Sequence, residues 1–490
     1  MFLISQFSVI KSLAFIRNQF SNHYVQLFHK NKNYKSFRKN LKKISPVFFV
    51  ACILSLVLGC QQSKKVILIS IDTLRADHIG CYGYERNTTP MIDTFAENGV
   101  VFKNAISTSS WTAPAMASLF TSLLPSRHNI KHGICKSGNI YGQEVLDVSY
   151  TTLAEALKEN GITTIGISSN PHLTRELGFG QGFDHFISHN FEDAEKITGV
   201  AIELLAQQAK NKSFFLWVHY FDPHWPYSKH EPWIYTYAPG YKDNLKPFYS
   251  NNLPKVRREA GIEKGTDSLC SLVALYDSEI NYVDRYVGKL LDFVRDKKNT
   301  MVILVADHGE GFLEHNTLDH GYQLYEESVR VPLIIQCSAI KPVKKFFNTP
   351  GSIIDIPPTI LEWLNIKGYY AFQGISLLPV ITGKVPDEIN ESQRMIVSEL
   401  NRFGKNLISV RKGNWKYIRD VKFKKEELYD LASDPSESVN IAEKKPFVKN
   451  EMKKAVSKWL ATTGKQKKEV TRTQLDAESV EKLKSLGYVE

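Results

Sequence analysis

The chain has 490 residues, with 62 Lys and Arg against 51 Asp and Glu, for a formal charge of +11. Residues 1–60 hold nine of the basic residues and no acid, so the rest carries only +2, which argues against a nucleic-acid-binding protein. With 43% hydrophobic and 23% charged residues, the composition excludes a disordered or collagen-like chain.

In chain order, the first feature is a leader. The basic run over 35–43 precedes the apolar stretch PVFFVACILSLVLG, which ends at Cys60. That stretch is too short to span a bilayer comfortably and fits the apolar region of a signal peptide. Its ending, Val57-Leu58-Gly59-Cys60, resembles a bacterial lipobox, whose Cys becomes lipidated, although Leu58 is large for its place. A short uncleaved anchor is the alternative. Either reading exports the body to the cell envelope, held to a membrane by lipid or by the N-terminal segment. Residues 1–30 do not suit a signal peptide, so the true start is expected to lie downstream of Met1.

The body then alternates two patterns. Continuous apolar runs of strand length occur at KVILISI (65–71), 163–167, 214–220, 301–306 and 331–335, the mark of strands buried on both faces. Helix-period segments, such as 152–160 and 272–295, lie between them. The alternation predicts an α/β domain with a large, mostly parallel sheet between helices. A polar and aromatic stretch over 229–264 reads as a surface insertion. Beyond about residue 386, short strands such as SVRKGNWKYIR and EELYDL predict a small C-terminal β-rich subdomain. The expected organisation is a leader and spacer (1–63), a catalytic domain (64–385), and the β-rich subdomain with a helical tail (386–490). Of six Cys, Cys81, Cys135, Cys270 and Cys337 lie in the body without metal-ligand spacing, and their pairing is left open.

Chemistry gathers at strand ends. Asp72 follows the first strand, Asp307 and His308 follow the run 301–306, and His224 follows the run 214–220. In open α/β sheets, ligands bind beyond the carboxyl ends of the strands, which predicts that these groups converge. Each Asp taken singly is a turn or helix-cap residue, whereas together they suit a divalent ion. In WTAPAMASLFT, Pro114 marks the first turn of a helix and puts Thr112 at the helix mouth, where backbone N–H groups favour an anion. A hydroxyl beside a divalent ion there could attack a sulfate or phosphate ester. His219, inside an apolar strand, reads as a hydrogen-bonded core residue. Glu310 and Glu314 read as supports around the metal or as turn caps, and His128 and His132 as structural or surface residues.

The segments ISIDTLRADHIGCYGY, WTAPAMASLFTSLLPSRH, HYFDPHWPY, VADHGEGFLEH, YEESVRVPLII and ELYDLASDPSESVNIA, in that order, resemble the sulfatase family of the alkaline-phosphatase superfamily over about 65–445. The resemblance implies a central mixed sheet, a small C-terminal sheet, and metal-assisted ester hydrolysis through a covalent intermediate. The departures are specific. The family's formylglycine Cys or Ser is Thr112, its Arg is Met116, its second Asp after the first strand is Thr73, its Asp-Asn is Asp307-His308, and its later Lys is replaced by His320-Gly321. The set of Asp, Thr, Asp-His and His-Gly is similar to that of phosphoethanolamine and phosphoglycerol transferases of the same superfamily. The expected site therefore has Asp72, Thr112, Asp307 and His308 around one divalent ion, Zn or Mn in preference to Ca or Mg. Thr112 is the expected nucleophile, and His224 and His320 the residues that protonate the leaving oxygen or hold the anion. The expected enzyme hydrolyses sulfuric or phosphoric esters. The alternatives are a transferase, a phosphodiesterase or phosphonate monoester hydrolase, and a non-catalytic binding protein on a degenerate fold.

Overall fold

The computed structural model describes residues 63–481, apart from 138–139, 209–212, 229, 242–256, 260, 296–297, 369, 385–393, 464–470 and 476–479. The leader and its Cys60, much of the insertion at 229–264, and the domain boundary at 385–386 lie outside the described residues.

Eight strands form the main sheet: β1 (Lys65–Ile71), β2 (Val100–Phe102), β3 (Thr163–Ser168), β4 (His185–Ser188), β5 (Phe214–Tyr220), β6 (Thr300–Ala306), β7 (Leu333–Cys337) and β8 (Phe346–Phe347). Their order is β8-β2-β7-β6-β1-β5-β3-β4. Neighbours run parallel except where β7 opposes β6 and β2. Every residue of β5 and β6 is buried, so helices must cover both faces, as the continuous apolar runs required. The predicted run 331–335 is in fact divided. Arg330–Val331 pairs with Ala105–Ile106 in a separate small sheet, and β7 begins only after Pro332, which has no N–H to give to a continuing ladder.

The helices are α1 (Pro90–Glu97), α2 (Thr112–Thr121), α3 (Leu153–Glu159), α4 (Ala194–Gln208), α5 (Asp267–Val294), α6 (Ile356–Leu364) and α7 (Pro446–Thr463). The start of α3 is written locally: Thr152 Oγ1 accepts from Glu155 N–H at 3.2 Å while Glu155 accepts from Thr152 N–H at 2.8 Å, a reciprocal cap. The long helix α5 is capped by Thr266 and packs with α1 and α4.

A second, antiparallel sheet consists of β9 (Met395–Arg402), β10 (Lys405–Lys412), β11 (Trp415–Asp420) and β12 (Glu426–Asp430). Val410, Tyr417 and Leu428 of this sheet form their own core with Met452 and Val456 of α7. The tail beyond α7 turns back: Arg472–Gln474 pairs with Ile140–Glu144, a strand the sequence reading did not foresee. Among the described cysteines, Cys81, Cys270 and Cys337 are unpaired thiols. No helix among the described residues is long and apolar enough to cross a membrane.

Candidate active site

The register of four adjacent strands explains why distant residues meet. Ile71 lies level with Ala306 on one side and Tyr220 on the other, and Ser168 is level with His219. The residues that follow these strands, Asp72, Asp307-His308 and Asn170, therefore emerge together at one edge of the sheet. Thr112 is the first residue of α2, which is buried along its whole length. His128, read as structural, acts as a lock on this helix, with its Nε2 2.9 Å from Ser118 Oγ.

His308 is the hub. Its Nδ1 lies 2.9 Å from the Gly309 carbonyl, so Nδ1 carries the proton and Nε2 presents a lone pair. That Nε2 lies 3.2 Å from Thr112 Oγ1 and 3.5 Å from both Asp72 Oδ1 and Asp307 Oδ2. Both of those carboxylate oxygens are buried without a hydrogen-bond partner. Burial pushes Asp72 up to about 7; burial, then the Asp72 charge beside it, pushes Asp307 up to about 8. Burial holds His308 well below its ordinary value. Two orphaned carboxylate oxygens, a neutral imidazole nitrogen and a hydroxyl facing one point are a donor set that fits a divalent cation.

The second oxygen of Asp72 is held separately. Asn170 Nδ2 donates to Asp72 Oδ2 at 2.6 Å, and His219 Nε2 lies 3.3 Å from the same atom. Trp217 Nε1 donates to Ser70 Oγ at 2.9 Å, and Ser70 Oγ lies 2.9 Å from His219 Nδ1. A neutral ring that donates to the carboxylate through Nε2 accepts the Ser70 proton at Nδ1. His219 is thus buried and hydrogen-bonded as expected, but its partner is the site's own carboxylate. Asp72, His219 and Asp307 also present ligand atoms within 4.8 Å of one another. Thr73, next to Asp72, has φ of 53°, an outlier for a β-branched residue. Tyr276 holds it there, its hydroxyl donating to Thr73 O at 2.7 Å and accepting from Arg75 N–H at 2.9 Å. The strained turn aims Thr73 N–H at Asp307 Oδ1, 3.3 Å away.

His224 and His320 complete the cluster. Their rings are 4.9 Å apart, and His320 is 4.6 Å from His308, centroid to centroid. His320 Nδ1 lies 2.8 Å from Asp319 and 3.5 Å from Glu310. Burial opposes its charge, but Asp319 and then Glu310 raise it well above its ordinary value, which favours the charged ring. His224 is kept neutral by burial and then by the His320 charge. Glu310 therefore serves His320, and Glu314 pairs with the buried Arg75 at 2.5 Å. His132 is half exposed and bonded to Glu144.

This fold, a large mixed sheet between helices with a small C-terminal antiparallel sheet, is the α/β fold of the alkaline-phosphatase superfamily. The sulfatase family model matches residues 64–366, and a model described as N-sulphoglucosamine sulphohydrolase, C-terminal, matches 313–466. The chain belongs to the sulfatase family and is a hydrolase acting on ester bonds. It is 24% identical, over 79% of its length and 86% of the relative's, to a Delta 4,5-hexuronate-2-O-sulfatase of Bacteroides thetaiotaomicron. Among solved structures, a 2-O GAG sulfatase superposes with a TM-score of 0.66 at 20% identity, covering 85% of this chain and 96% of that one. A phosphonate monoester hydrolase of Agrobacterium radiobacter superposes with a TM-score of 0.63 at 19% identity, covering 82% and 96%.

Asn170 and the partnership of His219 with Asp72 were missed by sequence reasoning. Asn170 follows the carboxyl end of β3 just as Asp72 follows β1, so the strand-end rule could have found it. His219 gave no such signal, because its role depends on strand register.

Proposed function

We propose that the protein hydrolyses sulfuric or phosphoric esters with Thr112 as nucleophile, in a site built for one divalent cation. The observation that carries this reading is the approach of Thr112 Oγ1 to His308 Nε2, at 3.2 Å, where two orphaned carboxylate oxygens also point. Asp72, Asp307, His308 and Thr112 would hold the cation. A Zn or Mn ion suits a set with one nitrogen better than Ca or Mg. Such an ion, when bound, supplies Lewis-acid neutralisation of charge on the transferred group and lowers the hydroxyl pKa.

The residues then divide the work. Thr112, its hydroxyl proton already released to solvent, bonds through Oγ1 to sulfur or phosphorus as the bond to the alcohol oxygen breaks, and the His320 imidazolium protonates that oxygen. Now neutral, His320 takes a proton from the water that attacks the same centre and breaks the bond to Thr112 Oγ1. Asp319 and Glu310 favour the charged form at each return. Neutral His224 packs beside His320 and borders the leaving group. Asn170 and His219 keep Asp72 oriented.

Threonine cannot form the aldehyde by which a formylglycine sulfatase eliminates sulfate, so release requires attack at the central atom. Phosphorus accepts such attack more readily than sulfur, which favours phosphorus esters. The test is a parallel assay of aryl sulfate, phosphate monoester, phosphodiester and phosphonate ester with the parent protein and Thr112→Ala. The expected result is loss of about 10³-fold or more in kcat for the variant, with a phosphorus ester turned over fastest. Equal rates from both proteins remove Thr112 from the mechanism. The same proposal has the body exported and held at the cell envelope through a lipidated Cys60.

A further inference from the structure

The segment after β5 carries a second group of ligand-type side chains. Asp222 lies two residues beyond β5, His230 at the root of the surface insertion, and Glu279 midway along α5. One ligand atom from each lies within 4.8 Å of those from the other two. None of the three belongs to the cluster around Thr112, but Asp222 and His230 flank His224 in the chain.

Each side chain is held for this meeting. Glu279 is 2% exposed; its Oε1 accepts from Ser228 N–H, and its Oε2 lies 2.9 Å from His230 Nε2. The His230 ring stacks on that of Tyr282, with centroids 3.9 Å apart and planes at 8°, which fixes the plane in which Nε2 points. Asp222 Oδ2 is buried and has no hydrogen-bond partner.

The charges in this group do not balance. Burial, then the Glu279 and Asp193 charges, push the Asp222 carboxyl well above its ordinary value, against the N–H groups of Asp222 itself and Ala194. Among the described residues, no Lys or Arg pairs with Asp222 or Glu279. An ion pair of Glu279 with His230 accounts for two of the side chains and leaves the Asp222 oxygen orphaned, whereas a shared cation satisfies all three.

We infer that Asp222, His230 and Glu279 bind a zinc ion, with water completing a four-coordinate shell. Imidazole and carboxylate are zinc ligands, and ligand atoms around zinc stand roughly 3.3 Å apart, a spacing between the 2.9 Å and 4.8 Å found in this group. Calcium asks for more ligands, all of them oxygen. Mn binds such sets more weakly than zinc, so it is the cation that reads the Thr112 site by itself, in titration and in melting. The zinc ties the segment that carries His224, and the start of the insertion, to α5.

The site is tested in the full-length Asp72→Asn, Asp307→Asn protein, which lacks the first site, loaded with zinc and then desalted. Elemental analysis should find one zinc per chain, and adding Asp222→Asn with Glu279→Gln should lower that at least about tenfold. X-ray absorption at the zinc edge should show one imidazole among oxygen ligands, a signature that His230→Gln should remove. In the parent protein, Asp222→Asn with Glu279→Gln should likewise cost one zinc per chain, whether or not the Thr112 site takes metal, so the two sites can fail independently. No zinc in the Asp72→Asn, Asp307→Asn protein, a zinc content unmoved by Asp222→Asn with Glu279→Gln, or an absorption spectrum without imidazole overturns the inference. The spectrum is taken with residues 222, 230 and 279 intact, so it decides even where a further substituted chain fails to fold.

Discussion

At the scale of single residues, the site buries two carboxyl groups side by side. Asp72 and Asp307 sit raised to about 7 and about 8 because burial disfavours their charge. A cation must displace those protons, so its affinity rises with pH. Uptake of Mn measured by calorimetry is expected to be weak at pH 6 and to strengthen through pH 8; affinity independent of pH over that range would contradict the ligand assignment. Asn170 tests the orientation of Asp72. Asn170→Ala removes the 2.6 Å bond to Asp72 Oδ2 and should weaken cation affinity about 10- to 100-fold, as loss of a ligand's outer partner does. An unchanged dissociation constant for Mn would show that His219 alone orients the carboxylate.

Between residues and the whole molecule, elements are joined by buried charge. The turn of helix Glu326–Val329, next to the main sheet, meets the C-terminal sheet through Glu326, which bonds Lys416 and Arg411 at 2.9 Å each. Glu437 reaches the same Lys416 at 3.0 Å. Burial opposes the Glu326 charge, but Lys416 and then Arg411 hold the carboxyl down at about 2. A depressed carboxyl contributes stability that is fully present above its unfolded value and is lost as pH falls toward 2. Glu326→Gln leaves buried cations undercompensated and should cost about 3 kcal/mol in urea unfolding at pH 7, with a smaller cost near pH 3. A variant equally destabilised at both pH values would show that packing, not charge, is what was lost. The Thr73 turn is a second such join. Tyr276→Phe removes the hydroxyl that serves both Thr73 O and Arg75 N–H and should destabilise by about 1–3 kcal/mol, read as a lower denaturation midpoint.

For the molecule as a whole, a cation that binds only the folded state links chemistry to stability. At a concentration of 100 times its dissociation constant it should add about 2.7 kcal/mol, seen as a higher melting temperature that chelator reverses. The double variant Asp72→Asn, Asp307→Asn should show no such rise, and its melting temperature without metal should equal or exceed the parent's, since two buried acids are gone. Persistence of the metal-induced rise in that variant would place the ion elsewhere.

Much of this was readable along the chain. The runs 65–71 and 214–220 were recognisable as strands to the residue, because a strand buried on both faces reads as a near-continuous apolar run. Asp72, Asp307 and His308 were recognisable because a polar residue directly after such a run has left the sheet at its ligand-binding edge. The break at Pro332 and the strand at Arg472–Gln474 were not, since pairing partners far away in sequence decided them.

Composition, apolar runs and the residues at their ends thus determined the α/β class, the sheet edge at which Asp72, Asp307 and His308 emerge, and the hydroxyl of Thr112 at the start of α2. Tertiary structure alone decided that His219 faces Asp72, that Asn170 joins them, and that Arg402 from the second sheet packs on Trp111. The physical reason is that side-chain identity and period are local properties of a chain, whereas strand register and the docking of one sheet against another are set by burial summed over the whole core.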